Sequence, residues 1–193
     1  MKIRVHKILK NTQVEGPGKR YCIIFQGCSK HCKGCWATQT WDFNGGIEYS
    51  TKEIMNDILN TKDIEGVTFL GGEPFEQYNA LLELSKEIKK QGLSTICFTG
   101  KTIEEIKHNY PKILQFLDIL IDGEYKEEEK DYSRPWVGSK NQNYHFLTNR
   151  YSQNILKEHK NKIEINIEKN GNINLNGMGD FEKITNYLNL VLK

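Results

Sequence analysis

Residues 21–35 read YCIIFQGCSKHCKGC, a short apolar run followed by a glycine and three closely spaced cysteines. The apolar run predicts a buried strand, and Gly27 ends it. Cys28, Cys32 and Cys35 follow at spacings of four and three residues, in the loop after that strand. Thiolates so close together favour a soft metal ion or an iron–sulfur cluster. The stretch therefore predicts a loop that binds a metal or a cluster at the end of a buried strand.

A second motif, GGEP at residues 71–74, stands at the end of another predicted strand. Ligands of parallel α/β folds and barrels bind at the carboxyl ends of strands. Gly71 and Gly72 would let the backbone approach a ligand closely, although an ordinary turn has the same composition. Thr99 and Gly100 follow the next predicted strand and are further candidate contacts, with a helix cap and turn as the alternative.

Strands and helices alternate around both motifs, which implies an α/β fold with right-handed crossovers and a mainly parallel sheet. The predicted strands are residues 4–8, 21–26, 67–70, 94–98 and 117–121. The predicted helices are residues 51–60, residues 76–91, one that begins at Thr102 and a helical stretch after Pro111. The first of these helices is expected to bury Ile54, Ile58 and Leu59.

The chain changes character after Gly123. Residues 124–132 are highly charged, and residues 134–147 are polar and aromatic and are predicted to form an ordered loop. Alternating apolar residues on either side of Asn170-Gly171 then predict a β-hairpin. The closing helix is expected to begin near Phe181 and to carry Ile184, Leu188 and Val191.

No internal repeat and no linker divides the sequence. At 193 residues, the chain suits a single domain. We therefore expect one domain over residues 1–193, with a core at residues 16–142 and a C-terminal extension at residues 150–193.

Composition limits the functional classes. The formal net charge is +2 and no basic block occurs, which gives no case for nucleic-acid binding. The longest apolar stretches are far shorter than the ~18 residues of a membrane span, and the N-terminus lacks the apolar core of a signal peptide. We therefore expect a cytoplasmic protein that binds neither nucleic acid nor membrane.

The cysteine count argues against disulfides. Five cysteines are an odd number, and the sequence shows no export signal. Cys22 and Cys97 lie inside apolar strand runs, where a buried cysteine is usually a packing residue. His108 and His145 are interpreted as surface or loop residues without a catalytic role.

Three thiolates fit an iron–sulfur cluster better than they fit the other metal sites. A structural zinc site normally has four ligands, no second CxxC or histidine pair supplies the fourth, and His31 lies too near its neighbours to be a confident ligand. A thioredoxin-like pair of Cys32 and Cys35 would leave Cys28 unused. On a four-iron cluster, three thiolates leave one iron for a substrate or cofactor. Structural zinc and a chance grouping of thiols stay as alternatives.

Six segments, taken in order, resemble the radical S-adenosylmethionine superfamily, and within it the activating proteins of glycyl radical enzymes such as anaerobic (class III) ribonucleotide reductase. The similarity extends from about residue 16 to residue 142. The segments are EGPGKRY (15–21), GCSKHCKGCWATQTWDFNGG (27–46), LGGEPFEQ (70–77), FTGKT (98–102), LIDGEY (120–125) and WVGSKNQ (136–142).

This resemblance implies a partial (βα)6-type barrel with a C-terminal β-hairpin and helix. It also implies a 4Fe-4S cluster on Cys28, Cys32 and Cys35, with S-adenosylmethionine bound to the open iron. No side chain alone would be catalytic, since the cluster-bound S-adenosylmethionine is the reactive centre. Trp36 matches the position that packs against adenine. The implied cofactor-binding residues are Gly34, Trp36, Gly71, Gly72, Glu73, Pro74, Thr99 and Gly100.

The resemblance further implies a reaction and partners. Reductive cleavage of S-adenosylmethionine would give a 5'-deoxyadenosyl radical, which would generate a glycyl radical on a partner such as anaerobic ribonucleoside-triphosphate reductase. A flavodoxin-type or ferredoxin-type protein would supply the electron. Asp122-Gly123 and residues 136–142 would lie near the barrel mouth and are possible partner contacts, with turn and loop packing as the alternative.

Other functions are compatible with the same motifs. One alternative is a radical enzyme that acts on another peptide or on a small molecule, of the maturase or deazapurine type. Another is a non-catalytic metal-binding module, either an electron carrier or structural zinc, although carriers usually complete four-thiolate ligation.

Overall fold

A mixed sheet of seven strands forms the centre of the fold in the computed structural model, which describes residues 1–167 and 169–191. The strands are β1 (Lys2–Thr12), β2 (Arg20–Phe25), β3 (Ile47–Ser50), β4 (Gly66–Gly71), β5 (Ser94–Phe98), β6 (Ile119–Asp122) and β7 (Asn143–Phe146). Their order across the sheet is β3-β1-β2-β4-β5-β6-β7. The central strands β2, β4, β5 and β6 are parallel, whereas β1, β3 and β7 pair antiparallel at the two sides.

Helices connect the parallel strands and cover the sheet. They are α1 (Thr51–Asn60), α2 (Tyr78–Lys90) and α3 (Ile103–Asn109), followed later in the chain by the short α4 (Ile155–Glu158). Ser50 begins α1 with a capping box, because its hydroxyl accepts from Glu53 N–H while the Glu53 carboxylate accepts from Ser50 N–H. Thr102 and Glu105 repeat the arrangement at α3. The predicted alternation of strands and helices is thus confirmed.

The C-terminal extension forms a separate two-stranded sheet and a helix. Strands β8 (Ile163–Ile167) and β9 (Ile173–Gly177) pair antiparallel, as predicted. Helix α5 (Phe181–Val191) follows them. Ile184 is half-buried, and the predicted contributions of the Leu188 and Val191 side chains lie outside what the structure describes. Among the helices of residues 1–167 and 169–191, none has the length and apolarity needed to cross a bilayer.

Both faces of the sheet are packed. The larger core lies under α1, α2 and α3 and includes Phe25, Phe69, Leu81 and Leu84. On the other face, Trp136 and Val137 pack on isoleucines of β5 and β6, the side chains of Ile96, Ile119 and Ile121. Residues after β6 therefore cover the face that the helices leave open.

The sheet is mixed, because β1 and β7 run against the central four strands, whereas β3, antiparallel to β1, runs in the same direction as those four. Two sequence predictions are wrong in detail. Residues 134–147 are not only loop, since residues 143–146 form β7, which carries His145. Leu59 is 55% exposed, because Ile54 and Ile58 define the buried stripe of α1 and Leu59 projects about 100° away from Ile58.

Candidate cluster and cofactor site

The cysteine loop (residues 26–41) leaves the carboxyl end of β2 and is tied at both of its ends. Gly27 N–H donates to Thr40 O at 2.7 Å, and Cys28 N–H donates to Trp41 O at 3.2 Å. The buried Gln26 side chain donates from Nε2 to Asp42 O at 2.6 Å. These bonds close the loop on itself, so its cysteines are held in one place at the strand end.

The three thiols of the loop line one cavity of about 690 Å³, a size typical of small-molecule sites. Cys28 is buried, and Cys32 and Cys35 are half-buried. Burial raises the pKa of the Cys28 thiol, while hydrogen bonds from the backbone of Lys30 and His31 oppose the rise. Burial also raises the pKa of the Cys32 thiol to about 11, and the charges of Glu124, Cys35 and Cys28 add to it. The thiols thus lie close enough to repel one another when ionised.

This arrangement does not suit a single ion. In residues 1–167 and 169–191, no group of three or more histidine, cysteine, aspartate or glutamate side chains is placed to hold one metal ion. His31 instead stacks on Trp41, with ring centroids 4.5 Å apart. Three thiols around one cavity match the donors that iron–sulfur clusters use in proteins.

The GGEP turn (residues 71–74) lies directly beside the cysteine loop. Gly72 N–H donates to Phe25 O and Glu73 N–H to Gly27 O, each at 2.9 Å. A side chain at Gly72 would collide with Gly27 O, and Gly71 has a φ of +112° that favours glycine. Both glycines are thus needed where the two strand ends meet. The two sequence motifs are brought together here, as the parallel strands predicted.

Glu73 joins this turn to the end of β5. Its carboxylate is 1% exposed and accepts from Thr99 Oγ1 at 2.8 Å, from Gly100 N–H at 2.8 Å and from Phe75 N–H at 3.0 Å. Burial raises the pKa of this carboxyl, and the three donors act against that rise. The Glu73 side chain is therefore a buried bridge between two strand ends, and Thr99 and Gly100 are held at the cavity through it.

Gly34 and Trp36 lie in the second half of the cysteine loop. Gly34 has a φ of +73°, and a Cβ there would lie 2.7 Å from a Glu127 side-chain oxygen. The Trp36 side chain is 53% exposed and stacks on Phe181, with centroids 5.1 Å apart and planes 13° apart. Pro74, in contrast, is buried at the start of a short 3-10 turn and lies behind the cavity wall.

Several residues of the cavity escaped the sequence analysis. Tyr125 and Glu127 line it from the segment after β6, and residues 174–182 of the extension line it from the opposite side. Gly123, Gly138 and Gln142 also line it, whereas Trp136 is buried packing and Asp122 accepts from Ile103 N–H. No local motif marks the extension residues, because only the chain's tertiary path carries them to the cavity.

Comparison with known proteins identifies the group to which this site belongs. Residues 14–145 match the family described as "4Fe-4S single cluster domain". The anaerobic ribonucleoside-triphosphate reductase-activating protein of Vibrio cholerae is 32% identical over 143 residues, which cover 70% of this chain and 92% of that protein. The chain belongs to the radical S-adenosylmethionine family of activating proteins. The resemblance inferred from the motifs is confirmed.

Further matches differ in identity and in the share of each chain that is covered. The activating protein of the same name from Escherichia coli K12 is 30% identical and covers 69% of this chain and 92% of its own. The pyruvate formate-lyase-activating enzyme of Clostridium pasteurianum is 34% identical over 61% of this chain and 50% of its own. QueE from Escherichia coli superposes on 53% of this chain and 54% of its own, with a TM-score of 0.46 and 22% identity.

A 4Fe-4S cluster and S-adenosylmethionine are the cofactors of this family, and the residues of the cavity fit both. Three thiols are available as cluster ligands, and Gly71, Gly72 and Gly100 line the space beside them. Because burial raises the pKa of the Cys28 and Cys32 thiols, ligation of a cluster must release the protons that these two thiols hold.

Glu15 anchors the extension against the family core. Its side chain is 3% exposed, and its Oε1 accepts from Gly177 N–H at 2.7 Å. Asn176 Nδ2 donates to Thr12 Oγ1 at 2.9 Å beside it. Burial raises the pKa of the Glu15 carboxyl to about 7, although the bonds from Gly177 and Asn176 lower it in part.

Glu15→Gln is expected to remove one component of the pH dependence of stability. Between about pH 4.5 and pH 7 the native state keeps a proton that the unfolded state has lost, so the free energy of unfolding of the wild type falls as pH rises through this window. The variant lacks this fall and is expected to be more stable at pH 8 by on the order of 2 kcal/mol. Urea unfolding at pH 5, 6, 7 and 8 measures it. Equal slopes for both proteins would contradict the assignment.

Proposed function

We propose that this protein reductively cleaves S-adenosylmethionine and generates a glycyl radical on anaerobic ribonucleoside-triphosphate reductase. The observation that carries the proposal is the meeting of three thiols, the GGEP turn and the end of β5 around one cavity. Membership of the family supplies the reaction class, and the names of the relatives supply the partner.

Each part of the cavity has a role in this proposal. Cys28, Cys32 and Cys35 ligate three irons and leave the fourth without a protein ligand. The GGEP turn holds the amino-acid end of S-adenosylmethionine, with Glu73 orienting Thr99 and Gly100, and Trp36 packs on the adenine. The proposed cofactor-binding residues that line the cavity are Gly34, Trp36, Gly71, Gly72, Glu73, Thr99 and Gly100, and the buried Pro74 supports the turn from behind.

The protein's own contribution is to bind and orient the two cofactors and to tune the reduction potential of the cluster. When bound, the cluster and S-adenosylmethionine supply the electron transfer and carbon–sulfur cleavage that yield methionine and a 5'-deoxyadenosyl radical. Backbone hydrogen bonds from Lys30 and His31 to the Cys28 sulfur, and from Tyr125 to the Cys32 sulfur, stabilise negative charge on those ligands. Such bonds raise the reduction potential of a cluster.

The sheet and the partner complete the proposal. The four parallel strands with their helices form part of a (βα)-type barrel whose carboxyl edge carries the site, and residues 1–193 act as one domain. Cys32, Cys35 and Trp36 are not fully buried, so a protein loop has access to the same edge. A flavodoxin-type or ferredoxin-type protein donates the electron.

Anaerobic reconstitution tests the function directly. Protein loaded with iron and sulfide is mixed with S-adenosylmethionine, dithionite and the large subunit of an anaerobic ribonucleotide reductase. We expect 5'-deoxyadenosine and the electron paramagnetic resonance doublet of a glycyl radical. A reductase in which the radical glycine is replaced by alanine is the matched control and should give no doublet.

The identity of the partner is tested in the same assay. Because one relative is a pyruvate formate-lyase-activating enzyme, pyruvate formate-lyase is the second protein to be offered. A doublet on the lyase alone would change the partner, and 5'-deoxyadenosine without a doublet on either protein would favour another peptide or a small molecule. A colourless, zinc-containing protein that cleaves nothing would overturn the proposal.

A further inference from the structure

We propose that Phe181 is a positioning residue for cofactor binding, because it packs on one face of Trp36 and leaves the other face for adenine. The inference rests on the proposed function and adds to it a role for the C-terminal extension. The family match ends at residue 145, so Phe181 lies outside it. Residues 174–182 nevertheless form one side of the cavity that the three thiols line.

The contact between the two rings is direct. Aromatic rings that touch have centroids about 4.5 to 7 Å apart, and the Trp36–Phe181 pair lies at 5.1 Å with planes 13° apart. No third ring fits between them at that distance. Trp36 is still 53% exposed, so the face turned away from Phe181 is the one open to a planar base.

Phe181 is itself held at two points of the preceding chain. Four residues earlier, Gly177 N–H donates to the buried Glu15 carboxylate at 2.7 Å, which ties the end of β9 to the core. Asp180 then caps α5, because its Oδ1 accepts from Lys183 N–H at 3.0 Å. Gly177 has a φ of +105°, and a side chain there would collide with Lys162 O. The backbone before Phe181 is therefore fixed in a position that places the Phe181 ring against Trp36.

A half-exposed tryptophan in a loop samples several rotamers when no neighbouring ring holds it. Restricting the side chain to one rotamer costs free energy when a ligand binds. The Phe181 ring, stacked on one face of Trp36, restricts the tryptophan before the ligand binds and so removes part of that cost. Loss of the stacking should therefore weaken the adenosine part of binding and leave the amino-acid part unchanged.

Binding to the reconstituted protein separates the two parts. Equilibrium dialysis compares S-adenosylmethionine with methionine, which has the amino-acid end and lacks adenosine. Phe181→Ala is expected to weaken S-adenosylmethionine binding about threefold to tenfold and to leave methionine binding unchanged. Phe181→Tyr should restore the affinity. Tyr187→Ala, on the same helix and 65% exposed, is the matched control and should behave as the wild type.

A double-mutant cycle tests whether Phe181 acts through Trp36. In the Trp36→Ala background, Phe181→Ala should have no further effect on S-adenosylmethionine binding. An equal loss in both backgrounds, an equal loss for methionine, or no loss at all would overturn the role. If the wild type holds no cluster and binds neither ligand, the proposed function fails instead, and iron content distinguishes that outcome.

Discussion

Cys32→Ala is expected to reduce the formation of 5'-deoxyadenosine to the level of a protein-free control. Cys28, Cys32 and Cys35 line one cavity, and the charge of Cys35 adds to the raised pKa of the other two thiols, so the loss of one thiol would remove one of three cluster ligands. We expect a cluster held by two thiolates instead of three to be lost during purification. The same variant should contain little iron and lack the absorbance of the cluster. Product analysis and iron and sulfide content after anaerobic reconstitution measure both effects.

Cys97→Ala is the matched control for that variant. Cys97 is buried in β5 and belongs to the larger core. Burial raises the pKa of its thiol well above the ordinary value. We expect full iron content and cleavage, with a loss of about 1 kcal/mol in the free energy of unfolding because a buried sulfur is removed. Loss of the cluster in this control, or its retention in Cys32→Ala, would contradict the ligand assignment.

Glu73→Ala is expected to lower the free energy of unfolding by about 2 to 4 kcal/mol and to abolish binding of S-adenosylmethionine. The substitution leaves three donors without their acceptor, namely the buried Phe75 N–H and Thr99 Oγ1 and the partly buried Gly100 N–H. Without the bridge, the ends of β4 and β5 are no longer held together at the cavity. Urea unfolding and equilibrium dialysis against S-adenosylmethionine measure the two effects.

Two further variants test whether the effect of Glu73→Ala depends on the lost hydrogen bonds. Glu73→Gln keeps one oxygen acceptor but turns an amide donor toward one of the N–H or O–H groups, so an intermediate loss is expected. Glu104→Gln changes an exposed carboxylate in the first turn of α3 and should leave both measurements nearly unchanged. A Glu73→Ala protein that unfolds at the wild-type urea concentration would show that the carboxylate does not hold the strand ends together.

The cysteine loop and the GGEP turn, which form two walls of the cavity, could be predicted because each is marked by a short run of neighbouring residues. The cysteine loop and the GGEP turn each follow an apolar run, and parallel strands place such ends at one edge of a sheet. Pairing of β2 with β4 in register, from Arg20 with Gly66 to Phe25 with Gly71, then fixes the two motifs side by side. Thr99 and Gly100 follow β5 for the same reason.

Other elements could not be predicted from local sequence. Strand β7 reads NYHF and pairs with β6, so its extended form depends on a partner more than twenty residues away. Strand β3 pairs with β1 across a separation about twice as long, since Val5 is opposite Ile47 and Lys2 is opposite Ser50. Leu59 is an apolar residue of the type usually found in a core, but the face that α1 packs against the sheet leaves its side chain in solvent.

The sequence by itself determined the α/β class, the cysteine loop, the GGEP turn and the hairpin of the extension, because each depends on neighbouring residues and on the period of a helix or strand. Only the tertiary structure decided that Glu73 bridges two strand ends, that Glu15 anchors the extension and that Phe181 stacks on Trp36. These contacts join residues 26, 162 and 145 positions apart, respectively. Side chains so far apart in the chain meet only through the packing of whole elements, which no local pattern encodes.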